Sequence, residues 1–255
     1  MDQWWIAGIA FAAAFGGGAV NSLAGGGTLL SFPTLLALGV PPVSANVTSA
    51  VALWPGGFGA VWGFRREIET AERWWLWLLL PSLAGGVVGA FALVRLPAAI
   101  FTTIAPYLIL LATALIALQR PIEKKLRAGI DGDRAIYWRI VAVVGQLLIS
   151  AYGGYFGASM GILMLSALTL FGVSSIRQAN GLKNLFSLGV RGVAVALFAL
   201  TATVVWDAAI LMAIGATIGG YAAGALSYRI DDRTMRLIIV VIGVCIAGVM
   251  AMRSG

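Results

Sequence analysis

Two cations, Lys183 and Arg191, stand inside the apolar run "QANGLKNLFSLGVRGVAVALFAL". They are eight residues apart, hence roughly on one helical face. An ionisable side chain at membrane depth is expensive and marks a candidate site. Asn180 and Asn184 flank Lys183 with amide donors, and "ANVTS" supplies a second polar group, Asn46, Thr48 and Ser49. The third group is "NSLAGGGTLLSFP", in which Asn21, Ser22, Gly26, Gly27 and Thr28 interrupt an apolar region. A helix starting near Thr28 would point free N–H groups and the positive end of its dipole inward, which suits an anion. The related stretch "GGYFGASMG" places a second such helix start near Ser159 to Gly161. Together these residues predict an anion pocket near mid-membrane, lined by cations, amides, hydroxyls and helix ends. Two structural roles compete: the glycines would also allow tight helix packing, and Asn46 and Asn180 would also serve as hydrogen-bonded glue between helices. Arg177, near a helix end, is better explained by reaching the headgroups.

The residues that are missing narrow the chemistry further. No Asp or Glu falls in the middle of an apolar run, and Asp207 stands at the start of one. A carboxylate relay for protons or sodium is therefore not expected. Export of a monoanion from a negative-inside cell is already favoured by about 2.3 kcal/mol per 100 mV, so uncoupled or substrate-proton-linked export suffices. Histidine is absent and Cys245 is the single cysteine, which removes disulfides, multi-cysteine metal sites and the commonest proton shuttle. Neither a catalytic residue set nor a metal or other cofactor is expected.

The elements that must hold these residues are membrane spans. The 255 residues are 60% hydrophobic and 11% charged, with a mean hydropathy of +0.96. A soluble domain carries about 25% charged residues, so lipid is the expected solvent. The start "MDQWWIAGIA" has Asp2 where a basic leader would sit, so the first apolar segment is expected to be retained. The net charge of +7 comes from basic residues in short loops and reports membrane orientation rather than nucleic-acid binding. Apolar runs of spanning length fall at about 44–64, 74–94, 97–118, 178–200, 206–228 and 234–252. Residues 4–38 and 137–171 are too long for one span and short for two. Each is interrupted by glycine, at Gly25 to Gly27 and at Gly153, Gly154 and Gly157.

The two halves repeat. "VNSLAGGGTLLSFPTLLALGV" aligns without a gap on "GGYFGASMGILMLSALTLFGV", and one inserted residue then sets Ala45 and Asn46 against Ala179 and Asn180. The expected division is an N-terminal membrane repeat (1–118), a cytoplasmic linker (119–135) and a C-terminal membrane repeat (136–255). If each interrupted element crosses fully, the loop cations split ten against five between the two sides. If each dips in and returns, one side holds Arg65, Arg66, Arg73, the six from Arg120 to Arg139, Arg177, Arg229, Arg233 and Arg236. The other keeps Arg95 and Arg253. That split, thirteen against two, obeys the positive-inside rule. The expected fold is thus an all-α polytopic membrane protein of two inverted repeats, each a re-entrant helical hairpin plus three transmembrane helices.

The glycine-rich break followed by "LLSFPTLLALGVPPVSANVTS", with a second copy running from "GGYFGASMG" to "FGVSSIRQANGLKN", resembles the sulfite and organosulfonate exporter family (TauE/SafE). The resemblance covers both halves. It implies export of small sulfur-containing anions such as sulfite or sulfoacetate; the expected protein is a plasma-membrane (inner-membrane) carrier working by alternating access, with substrate held between the repeats. By position it implies the Asn21–Thr28 turn, Asn46 to Ser49, Asn180, Lys183 and Asn184 as pathway residues. The second turn departs from the first, with Ala158-Ser159-Met160 in place of the triple glycine. A passive anion channel, or a carrier for another small organic anion such as a carboxylate, would use the same residues. An intramembrane enzyme and a purely structural assembly protein fit the sequence less well. The expected partners are the anion and the lipid bilayer, not nucleic acid. The aromatic run from Arg73 to Leu80 reads as an interfacial belt, part of it available as a homodimer face.

Overall fold

The computed structural model describes residues 4–126, 135–173 and 175–226; for 22–24, 115–126, 135–138, 176 and 223–226 it describes the backbone alone. The expected span at 234–252, Cys245, the linker from 127 to 134 and the cations Arg229, Arg233, Arg236 and Arg253 lie outside the described residues. Every element within them is an α-helix: α1 (Trp4–Ala24), α2 (Thr28–Ala37), α3 (Pro42–Leu53), α4 (Gly56–Gly63), α5 (Arg65–Glu69), α6 (Arg73–Trp77), α7 (Leu79–Arg95), α8 (Ala98–Leu126), α9 (Ala135–Tyr155), α10 (Met160–Leu170), α11 (Ile176–Thr201) and α12 (Trp206–Leu226). The stretches Trp4–Asn21, Arg73–Arg95 and Arg177–Thr201 are long and apolar enough to cross a bilayer. Many large apolar side chains face outward, among them Trp4, Trp62, Trp77, Leu200 and Tyr221, as lipid-facing surfaces require.

Both interrupted elements are present. The first breaks at Gly25, which adopts φ +75°. The second breaks later than the glycine spacing predicts, after Tyr155, with Gly157 and Ser159 in left-handed conformations. Gly153 and Gly154 stay helical because they serve packing. A side chain on Gly153 would overlap Met160, and one on Gly154 would overlap the Gly86 carbonyl. The short returning helices end alike. Val40 N–H donates to Leu35 O at 3.0 Å and Val173 N–H to Leu168 O at 3.1 Å, each across a left-handed glycine, Gly39 or Gly172. These two glycines are equivalent in the sequence repeat.

Two expected spans differ in detail. The 44–64 run is divided between α3 and α4, because Pro55 has no N–H to continue the ladder. Helix α8 continues through Leu126 into the expected linker, where Glu123, Lys124, Lys125 and Leu126 are good helix formers.

Close contacts fix the running directions. Phe11 O packs on Gly215 and Phe15 O on Gly219, so α1 and α12 rise together. Val205 N–H donates to Thr48 Oγ1 at 3.1 Å and Gly56 faces Ala216, so α3 follows α12 as well. Gly85 sits against Leu147 to Ala151 and Gly89 against Ala151 to Tyr155, which sets α7 alongside α9 in one direction. Gly189 lies by Leu79 and Leu83, and Gly86 by Val190 and Val193, which adds α11 to that group. Against α3 and α4, α11 runs oppositely: Gly192 meets Trp54, Leu188 meets Gly57 and Gly181 meets Phe64. Gly17 meets Gly27 and Gly16 meets Leu30, so α2 runs back along α1; Gly153 meets Met160 and Gly145 meets Phe171, so α10 runs back along α9. The backbone-to-backbone seams α1–α12 and α7–α9 depend on Gly85, Gly89, Gly215 and Gly219, while Gly86 makes room for Val190 and Val193 of α11.

An aromatic cluster ties the first returning helix to the second break. Phe32 of α2 meets Phe156 edge-on at 5.4 Å between ring centres and Phe101 of α8 at 6.0 Å. Phe32, Phe101 and Phe156 are all buried.

Candidate functional site

The two breaks meet. A Cβ on Gly25 would stand 3.0 Å from Gly161 Cα, so the turn before α2 touches the first turn of α10 backbone to backbone. Only two residues without side chains permit that approach. Beside this contact lies a cavity of about 40 Å³, enough for roughly three water-sized groups. Its wall includes Asn21 and Gly25 from the first break, Gly161 from α10, Trp54 and Gly57 from the α3–α4 kink, and Lys183, Asn184, Ser187, Leu188 and Arg191 from α11. A larger, mostly apolar crevice lies elsewhere, between the starts of α1 and α12 and the end of α2, and holds none of these groups.

Helix α11 delivers the charge. Residues 183, 184, 187, 188 and 191 recur at helical spacing, so one face presents a cation, an amide, a hydroxyl and a second cation to the cavity. Lys183 is 4% exposed and Arg191 9% exposed. Arg191 Nη2 donates to Asn21 Oδ1 at 3.0 Å, a bond that joins the second half of the chain to the first break. A neutral acceptor orients the guanidinium without neutralising it. Among the described residues no carboxylate lines the cavity or pairs with either cation. Trp54 braces the same wall by donating its Nε1–H to Leu188 O at 3.2 Å. Trp54 and Leu188 are equivalent positions in the repeat that pairs Asn46 with Asn180.

Of the residues singled out in the sequence, Asn21, Lys183, Asn184 and Arg191 line the cavity. The others sit elsewhere. Gly26, Gly27 and Thr28 are buried at the entry to α2 but contribute nothing to the cavity wall. Ser49 shares a 2.5 Å hydrogen bond with Ser31, and Thr48 Oγ1 is occupied by Val205 N–H. Asn46 Nδ2 donates to Tyr155 O at 2.9 Å, clasping α3 to the end of α9, while its Oδ1 is buried without a partner among the described residues. Ser159, at φ 60°, donates from Oγ to Ala112 O at 3.0 Å and so anchors the second break to α8. Asn180 is half-buried and outside the cavity wall. Ser22 has no described side chain.

Sequence reasoning missed Ser187, Trp54 and the small residues Gly18, Gly57 and Ala60 that complete the wall. Ser187 was recoverable, because it lies one turn beyond Lys183 on the face that also carries Arg191. Trp54 was not, since nothing local distinguishes it from the belt tryptophans nearby. The assembled groups are donors: an ammonium, a guanidinium, an amide and the Gly161 N–H, which has no acceptor among the described residues. Such donors have the chemistry to receive an oxyanion or halide.

Residues 10–250 match the family described as "Sulfite exporter TauE/SafE". A probable membrane transporter protein of Haemophilus influenzae is 30% identical over 226 residues, covering 83% of this chain and 81% of its own length. The probable membrane transporter protein ORF9 of a Sinorhizobium species is 26% identical over 242 residues, covering 93% and 89%. The probable membrane transporter protein YfcA of Escherichia coli K12 is 25% identical over 239 residues, covering 93% and 86%. No solved structure matches the chain. With nearly its whole length matched, the chain is a membrane transporter that belongs to the sulfite exporter TauE/SafE family.

Proposed function

We propose that the protein exports small sulfur-containing anions, sulfite or organosulfonates such as sulfoacetate, by alternating access, with the substrate held between two inverted repeats. The observation that carries this reading is the convergence of both helix breaks on one buried cavity holding Lys183 and Arg191. The opposed directions of α1–α3 and α9–α11 support the inversion, and the return of α2 and α10 supports a re-entrant hairpin in each half. A sulfur oxyanion offers several acceptors on one centre, which matches convergent N–H donors and two cations. Two repeats that rock about the Trp54–Leu188 contact would open the cavity to each side in turn.

On this reading the protein sits in the plasma (inner) membrane, the 119–135 segment is cytoplasmic, and the bilayer and the anion are its partners. Pairing into a homodimer through the aromatic belt belongs to the same proposal. Flux of sulfite, sulfoacetate, taurine, sulfate and acetate into proteoliposomes, with and without a pH gradient, tests it. Saturable flux with counterflow of a sulfur anion is expected; movement of acetate alone would contradict the substrate, and non-saturating flux would point to a channel. Labelling of cysteines placed in 119–135 from the outside of intact cells would refute the topology.

A further inference from the structure

We infer that the carrier is an obligate anion exchanger, in which a second small inorganic anion must occupy the Lys183–Arg191 cavity on the return step. The inference rests on the transport reading above and adds a counter-substrate to it. Lys183 and Arg191 are both nearly fully buried in the wall of one small cavity. Asn21, the one hydrogen-bond partner of Arg191 among the described residues, is neutral. The acids with described side chains stand elsewhere: Glu67 is paired with Arg177 at 3.2 Å, Glu69 ends α5 and Glu72 precedes α6, both exposed, and Asp207 is at the start of α12. Among the described residues, an empty cavity therefore leaves two buried positive charges without a counter-charge. Closing both sides around them during reorientation removes their remaining water, which is the most unfavourable state for unpaired ions. A bound anion supplies the missing charge, so the loaded carrier reorients and the empty one does not. Chloride and inorganic oxyanions are the compact species that fit most readily among these groups, and they are the return anions tested. Carriers that do hold carboxylates in the site escape this constraint, because an internal ion pair can form when substrate leaves.

The test is radiolabelled sulfite uptake into proteoliposomes loaded with chloride, with sulfate, or with gluconate, a six-carbon polyol anion larger than any of the proposed substrates. Exchange predicts uptake at least about tenfold faster with internal chloride or sulfate than with gluconate, the ratio that a closure penalty of only one factor of ten would give. Equal uptake into all three would overturn the exchanger while leaving sulfite transport standing; no uptake under any condition would overturn the transport reading itself. Lys183→Gln and Arg191→Gln each remove one charge, and whichever of them reconstitutes should lower the chloride-to-gluconate ratio. An unchanged ratio in a folded variant would detach the requirement from these cations.

Discussion

Gly25→Ala probes the contact on which the site is built. Gly25 has φ +75°, and left-handed backbone costs a residue with a side chain about 1–2 kcal/mol. The added methyl would also lie 3.0 Å from Gly161 Cα and 3.4 Å from Gly161 N. Neither neighbour is a flexible side chain, so α10 must shift, and forced overpacking of that kind costs about 1–3 kcal/mol more. Gly39→Ala is the matched control. It has φ +86° and no neighbouring atom within 4 Å, so it carries the conformational cost alone. At about 2–4 °C per kcal/mol for a chain of this size, Gly25→Ala should melt roughly 2–12 °C below Gly39→Ala. Thermal unfolding of both in detergent, followed by anion flux in liposomes, reads the difference. Flux should fall sharply for Gly25→Ala and survive in Gly39→Ala. Equal melting shifts with intact flux in both would mean that the two breaks do not touch, and the cavity would lose its geometric basis.

Asn21→Ala removes the acceptor that aims Arg191, and should weaken anion affinity by about tenfold while shifting stability by about 1 kcal/mol, read from the KM for uptake and the melting temperature. Gly89→Val puts a side chain into the Ala151 carbonyl across the α7–α9 seam, and should abolish folded protein on size-exclusion chromatography. Glu67→Gln breaks the pair with Arg177, which is 77% exposed, so stability should move by less than about 1 kcal/mol in a melting curve.

The features legible in the sequence were those that depend on local rules. Three glycines inside an apolar run can only mean a break or a packing seam, and the gapless alignment of the halves sets Gly39 against Gly172, which the structure shows ending α2 and α10. Lys183 and Arg191 stood out because no apolar helix carries a cation without a reason. What the sequence hid depends on partners far away in the chain. Whether Asn46 faces a cavity or clasps a carbonyl is decided by Tyr155, 109 residues on. Whether Gly153 and Gly154 bend a helix or pack one is decided by Gly86 and Met160. Trp54 stands at the division between α3 and α4 and reaches Leu188 O, 134 residues on, whereas the hydrophobic run pointed to one continuous span over 44–64. The hydroxyls of Thr48 and Ser49 illustrate the same limit: the polarity was visible, but the acceptor or donor each one meets was not.

The most direct measurement is a crystal or cryo-EM structure of the protein with selenite, a heavier oxyanion of the same shape as sulfite, its position in a crystal read from the selenium anomalous signal. A single strong site is expected between Lys183, Arg191 and the Gly161 N–H, lost in Lys183→Gln. Selenite bound elsewhere, with that cavity closed and empty while uptake of sulfite persists, would contradict it.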